Sequence, residues 1–177
     1  MKHYEFQQDF RALYDKAVAL YAKGQRGAET FFSTAETAFL AANGITSQNL
    51  YDYAEDHNNY GEPGYDIALG IEFVRRGYFL FNQQGQPSKV VLDPEKMPTK
   101  TAAVRGIEWL PRIIPKAKAK LRGELPSTLM YCCGGDRNFF KTHDINPVEF
   151  LGVVRQNEAN DEVIIDWVTK RIASNKA

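Results

Sequence analysis

The sequence lacks any long apolar run, since nowhere in its 177 residues do 18 apolar residues follow one another. No segment therefore matches a transmembrane helix, and the N-terminal stretch has no apolar core of a signal peptide. Cysteine is scarce, with only Cys132 and Cys133, and a disulfide between neighbours would close a strained ring. We expect a cytoplasmic protein with free thiols and no membrane partner.

Net charge is also absent, because 22 Lys and Arg residues balance 22 Asp and Glu residues. Proteins that grip phosphate backbones carry clustered excess basic charge, so we expect no nucleic-acid partner. The distribution is uneven: residues 1–85 hold 7 basic and 11 acidic residues, a net −4, and residues 86–177 hold 15 and 11, a net +4. Two complementary halves, or two subunits of a homodimer, could attract one another through this asymmetry.

Recognisable catalytic and cofactor motifs are missing too. The sequence contains no phosphate-binding loop, dinucleotide fingerprint, hydrolase elbow or metal-ligand spacing. We therefore expect no cofactor and no metal site, and the balance lies against an enzyme.

Helical periodicity is what the sequence has in abundance. Apolar residues recur at spacings of three and four, and glycines or caps end most of these runs. The pattern predicts an all-α fold of about eight helices in two quasi-repeated small bundles, with at most one short strand pair, near Val90 or Leu129. The predicted helices cover residues 6–23, 28–43, 46–56, 66–81, 111–121, 136–141, a segment beginning at 147, and 161–173.

An internal repeat underlies the prediction of two bundles. A displacement of 100 residues pairs Ile45 with Ile145 and Leu50 with Phe150, and these residues flank helix caps at Thr46 and Asn146. A displacement of 94 residues pairs 71–74 with 165–168. The prediction is a duplicated unit of four helices.

A proline-rich segment separates the two halves. Residues 82–100 contain three prolines and few helix signals, which is typical of a connector. We predict an N-terminal helical half over 1–85, a connector over 86–102 and a C-terminal helical half over 103–177, joined in one compact unit.

The C-terminal half carries a family pattern. Leu110-Pro111-Arg112 starts a Lys- and Ala-rich helix ended by Gly123, an Asp precedes an aromatic helix, Ile145 precedes a capped helix, and Trp167-Val168 lies near the end. From Gly106 to Arg171 this pattern resembles a bacterial family of unknown function, the DUF5069 family. The resemblance implies a helical fold and transfers no active site.

The segment Tyr131-Cys-Cys-Gly-Gly-Asp136 is the most suggestive reactive feature. A thiolate near a helix N-terminus and a cation is activated, so Cys132 or Cys133 could act with Asp136, Arg137 and His143. More commonly, cysteines of this kind are small apolar residues buried in the core. In this sequence Asp136 is also predicted to cap its helix.

Candidate binding residues form two further groups. Tyrosines cluster around the turn at residues 57–64, and basic residues repeat every four positions on one helix face, where a solvated surface is the favoured interpretation. The candidate ligand-binding residues are Tyr51, Tyr60, Tyr65, Arg76, Arg112, Lys116 and Arg137.

Two functions follow from these features. The favoured hypothesis is a non-catalytic module that binds a small molecule or a protein partner in a groove between the halves. The alternative is a thiol-dependent enzyme that uses Cys132 or Cys133.

Overall fold

The computed structural model describes residues 3–174, and over this range the chain is all-α with one short strand pair, as predicted. The helices are α1 (Phe6–Ala22), α2 (Thr34–Ala42), α3 (Ser47–Tyr60), α4 (Tyr65–Gly77), α5 (Leu110–Arg122), α6 (Gly134–Thr142), α7 (Pro147–Gln156) and α8 (Asp161–Ser174). The strands are β1 (Ala103–Val104) and β2 (Ile107–Glu108). No helix among the described residues is both long enough and apolar enough to cross a membrane.

The chain divides into two compact units, Met1–Pro87 and Ser88–Ala177. The division falls inside the predicted connector 86–102, and most of that segment belongs to the second unit. The Leu92 amide donates to the carbonyl of Glu124 at 2.8 Å, and Met97 is buried. Residues 88–102 are therefore part of the C-terminal unit, and they include a short 3-10 helical turn at Pro94–Lys96.

In the N-terminal unit, α1 packs against α3 through the apolar stripe that the sequence predicts. The buried residues of α1 are Phe6, Phe10, Leu13, Tyr14, Ala17 and Tyr21. Gly44 ends α2 in the left-handed region, with φ +73°. A Cβ at this position would lie 2.5 Å from Cγ of Phe79, so only glycine fits there.

Three helix boundaries in this unit differ from the prediction. The helix predicted over 46–56 continues to Tyr60, so residues 57–60 of the predicted turn are helical. The helix predicted over 28–43 begins at Thr34, because Ser33 and Glu36 form a reciprocal capping box that starts a new helix. The helix predicted over 66–81 ends at Gly77, and Tyr78–Asn82 continue it as a wider π-helical turn. The apolar pattern is similar in both windings, so the sequence did not separate them.

The strand pair lies elsewhere than predicted. Val90 is 61% exposed and belongs to no strand, whereas β1 and β2 pair antiparallel around Arg105 and Gly106. Both turn residues have positive φ, 52° and 75°, as a tight two-residue hairpin turn requires. This hairpin leads directly into α5.

The basic face of α5 is not a solvated surface. Lys116 and Lys120 are only 2% and 4% exposed, so the favoured interpretation of this helix is wrong. Burial of an ammonium requires a compensating partner, and the partner of Lys116 defines the centre of the C-terminal unit.

Candidate functional site

A buried ion pair joins α5 to α6. Nζ of Lys116 lies 2.9 and 3.0 Å from the two carboxylate oxygens of Asp136, which is fully buried. The carboxylate also accepts the indole N–H of Trp109 and the backbone N–H of Cys132, each at 2.9 Å. Asp136 is thus satisfied by one ammonium and two neutral donors, which is the condition under which a buried charge is tolerated.

Asp136 does not cap its helix. The helix begins at Gly134, Cys133 occupies the N-cap position, and the Asp136 side chain turns into the core. The prediction of an Asp136 cap is wrong because the carboxylate has a stronger partner in Lys116, a charged donor 20 residues away.

Strained backbone positions Trp109 and Cys132. Both are non-glycine residues in the left-handed region, with φ 68° and 69°. Such conformations cost about 1–3 kcal/mol each and cluster at functional sites. Gly135 completes the arrangement, because a Cβ there would lie 2.5 Å from Cζ2 of Trp109, so the glycine lets the indole lie against α6.

The two cysteines have different surroundings, and both are free thiols. Cys132 is 1% exposed, and its carbonyl accepts a hydrogen bond from buried Arg137 at 2.9 Å. Cys133 is half-buried, with Sγ 3.4 Å from Nζ of Lys116. The structure therefore brings Cys133, Lys116 and Asp136 together around one ammonium.

His143 lies at the other end of α6. It follows the last helical residue, and its ring packs edge-on against Phe139 with centroids 4.8 Å apart. At about 1.5 Å of rise per residue, the ten positions between Cys133 and His143 separate them by about 15 Å. The structure does not bring the predicted histidine base to the thiols.

Tyr131 anchors the start of this segment. It is fully buried, and its hydroxyl donates to the carbonyl of Pro147 at 2.7 Å. Burial raises the pKa of this phenol well above its usual value, so the hydroxyl stays a donor and ties the segment before α6 to the start of α7.

A cavity of about 270 Å³ opens beside Trp109. Aromatic rings form its apolar part, and four polar side chains contribute opposite charges, an amide and a hydroxyl. The lining residues are Lys100, Glu108, Trp109, Gly135, Asn138, Phe139, Thr142 and His143.

The four polar side chains of this cavity belong to solvent-exposed residues. Within residues 3–174, the side chains of Lys100, Glu108, Asn138 and Thr142 form no hydrogen bond or ion pair. An apolar pocket with a few convergent polar groups is the usual form of a small-molecule site.

The three candidate tyrosines do not share one site. Tyr51 packs edge-on against Tyr21, with ring centroids 5.6 Å apart, and Tyr60 is 69% exposed. The Tyr65 hydroxyl donates to the carbonyl of Gln7 at 3.1 Å, and its ring lies 4.2 Å from the guanidinium of Arg11. Of the three, only Tyr65 lines the wide cleft of about 770 Å³ in the N-terminal unit.

The candidate arginines make structural contacts. Nε of Arg76 donates to Oδ1 of Asn43 at 2.6 Å, and the guanidinium of Arg112 donates to the carbonyl of Pro98 at 2.6 Å. Together with the Arg137 contact described above, these bonds hold backbone and core elements in place. Among the basic candidates, Lys116 contacts a thiol, since its Nζ lies 3.4 Å from Sγ of Cys133.

Sequence reasoning missed Trp109 and the cavity it lines. The available signal was the glycine pair 134–135, which allows an aromatic ring to approach a helix closely, but no local pattern indicates which ring arrives. Trp109 lies 27 residues from Asp136 along the chain, so the contact is decided by the fold.

These observations define an all-α protein of two compact units whose C-terminal unit holds an aromatic-lined cavity beside a buried ion pair. Residues 96–177 match the model of a domain of unknown function, DUF5069. This confirms the family resemblance and extends it to include Lys100 and the hairpin. No curated protein and no solved structure matches the chain.

Proposed function

We propose that the C-terminal unit is a non-catalytic module that binds a small ligand in the cavity beside Trp109. The observation that carries this proposal is that four polar side chains without hydrogen-bond or ion-pair partners in residues 3–174 lie around aromatic rings. Polar groups of a pocket that have no internal partner are free to orient a ligand.

The buried network supports the proposal by fixing the indole. Asp136 accepts the Trp109 Nε1–H, and Lys116 holds Asp136 from the other side. Because a buried carboxylate holds the indole ring in one orientation, less side-chain entropy is lost when a ligand packs against the ring.

Fluorescence of Trp109 tests the proposal directly. The chain contains two tryptophans, so Trp167→Phe leaves Trp109 as the sole reporter. We would screen this variant against amino acids, nucleobases, sugars and organic acids, following emission and thermal unfolding. A ligand at 100 times its dissociation constant adds about 2.7 kcal/mol of stability.

Matched variants locate the binding site. Thr142→Val removes a hydroxyl from the cavity and should weaken any ligand that stabilises the protein, whereas Thr37→Val, at an exposed position of α2, should not. If stabilising ligands leave Trp109 emission unchanged and bind both variants equally, the site lies elsewhere and the proposal fails.

A second candidate function is thiol chemistry at Cys133, favoured by the 3.4 Å contact between its sulfur and Nζ of Lys116. Lys116 would supply the nearby positive charge that the sequence suggested for Arg137, whereas the role of base suggested for His143 stays unfilled. Iodoacetamide labelling at about pH 6, where ordinary thiols are slow, tests this idea. Slower labelling of Cys133 in the double variant Lys116→Met/Asp136→Asn, which leaves neither charge buried alone, would support it. Equal rates for native and unfolded chains would reject it.

Cytoplasmic location and internal duplication complete the proposal. Two free thiols suit a reducing compartment. Helices α2 and α6 cover residues 34–42 and 134–142, and α3 and α7 begin at 47 and 147, so these boundaries repeat the displacement of 100 residues. Alignment of the two units across relatives of this chain would test the duplication.

A further inference from the structure

We infer that the ligand of the Trp109 cavity is a small zwitterion of amino-acid size, bound with its carboxylate towards Lys100 and its ammonium towards Glu108. This inference rests on the proposed binding function and names the chemical class of the ligand.

Charge is the first support. The cavity is lined by one lysine, Lys100, and one glutamate, Glu108. Neither forms an ion pair with the other or with any other residue in 3–174. Both residues are exposed. Other charges of the unit are paired, such as Lys118 with Asp161 and Arg171 with Glu149, although exposed Lys89 and Glu95 form no ion pair either. The cavity thus keeps one cation and one anion unpaired.

A zwitterion satisfies both charges, whereas a ligand with one charge satisfies only one. A purely anionic ligand would meet repulsion from Glu108, and a purely cationic ligand would meet repulsion from Lys100. Discrimination between these classes follows from the pair of opposite charges, without any further residue.

Size is the second support. A volume of about 270 Å³ equals the liquid volume of about nine water molecules. A ligand of roughly ten heavy atoms fills this volume, and a nucleotide would extend out of the open cavity. The size range of single amino acids fits.

The apolar part of the cavity is the third support. The rings of Trp109, Phe139 and His143 line it, and Phe139 is buried. An apolar or flat amino-acid side chain would pack on these rings and gain the free energy of apolar burial. The amide of Asn138 and the hydroxyl of Thr142 supply hydrogen bonds to the remaining polar atoms.

The experiment measures binding of each of the twenty L-amino acids to the full chain carrying Trp167→Phe, by Trp109 emission and calorimetry. For the tightest binder, the matched probes are its amide, its decarboxylated amine and its deaminated acid. Removing either charge should weaken binding about two- to fivefold, as expected for ion pairs with exposed side chains.

Variants assign each charge to its partner. Lys100→Met should make the amino acid and its amide bind equally, because the partner of the carboxylate is gone. Glu108→Gln should make the amino acid and its deaminated acid bind equally, because the partner of the ammonium is gone. Lys89→Met and Glu95→Gln, at exposed positions of the same unit that do not line the cavity, should leave the discrimination unchanged.

The outcomes separate this inference from the proposed function. If a singly charged or neutral probe binds through Trp109 as tightly as the amino acid does, the zwitterion is refuted and the binding function stands. The same holds if only ligands of another class bind there. If no compound in either screen changes Trp109 emission, both the inference and the function are overturned.

Discussion

Replacing Asp136 by asparagine should destabilise the C-terminal unit strongly. The substitution keeps the shape of the side chain but removes the negative charge that faces Lys116, leaving an ammonium that is 2% exposed without its counter-charge. It also places an amide N–H₂ where two oxygens now accept three donors, so a donor must face a donor.

The magnitude follows from the burial of both partners. Removing one partner of a buried ion pair typically costs about 3–5 kcal/mol, because the remaining charge stays desolvated. With a urea m value of about 2 kcal/mol/M, this loss lowers the midpoint of unfolding by about 2 M. The effect is large compared with typical point substitutions, which cost about 1 kcal/mol.

Urea unfolding of the Trp167→Phe chain, followed by Trp109 emission and far-ultraviolet circular dichroism, provides the assay. The matched control is Asp166→Asn in the same unit, which removes a carboxylate from an exposed pair with Arg105 and should change stability little. A double-mutant cycle with Lys116→Met should show coupling, since the double variant leaves neither charge buried alone. Equal losses for Asp136→Asn and Asp166→Asn, or additive losses in the cycle, would refute the reasoning.

Three further predictions concern single positions. Gly135→Ala should displace the Trp109 indole, weaken ligand binding and cost about 1–3 kcal/mol of stability by overpacking. Gly152→Ala, which has open space around its Cβ, should not destabilise α7. Equal losses of stability for the two variants in calorimetry would contradict this. Burial raises the pKa of Tyr14 from 10.0 to about 12, so the unfolded chain loses this proton first and stability should fall as pH rises from 10 to 12. Tyr14→Phe should flatten that fall, and an unchanged slope would count against the assignment. Asn146→Ala should cost about 1 kcal/mol, because Oδ1 of Asn146 accepts two amide protons at the start of α7; a variant as stable as the parent in urea would show that the cap is dispensable.

Local sequence patterns were sufficient to predict most of the helices. The spacing of apolar residues in 6–23 located α1 to within one residue at its C-terminal end, and the Asn146 cap located the start of α7. Both signals are local, because helical periodicity and capping involve residues only a few positions apart. The all-α class and the family resemblance of the C-terminal half followed from the same kind of pattern.

The burial of polar residues and the lining of the cavity depend on contacts between helices that are distant in the sequence. A lysine on an amphipathic helix is expected to be solvated, yet Lys116 is buried because it forms an ion pair with Asp136 of another helix. Trp109 was passed over for the same reason, since its partner and its cavity come from α6. Burial and electrostatic pairing depend on residues 20 or more positions away, and a local pattern carries no information about which distant side chain will arrive.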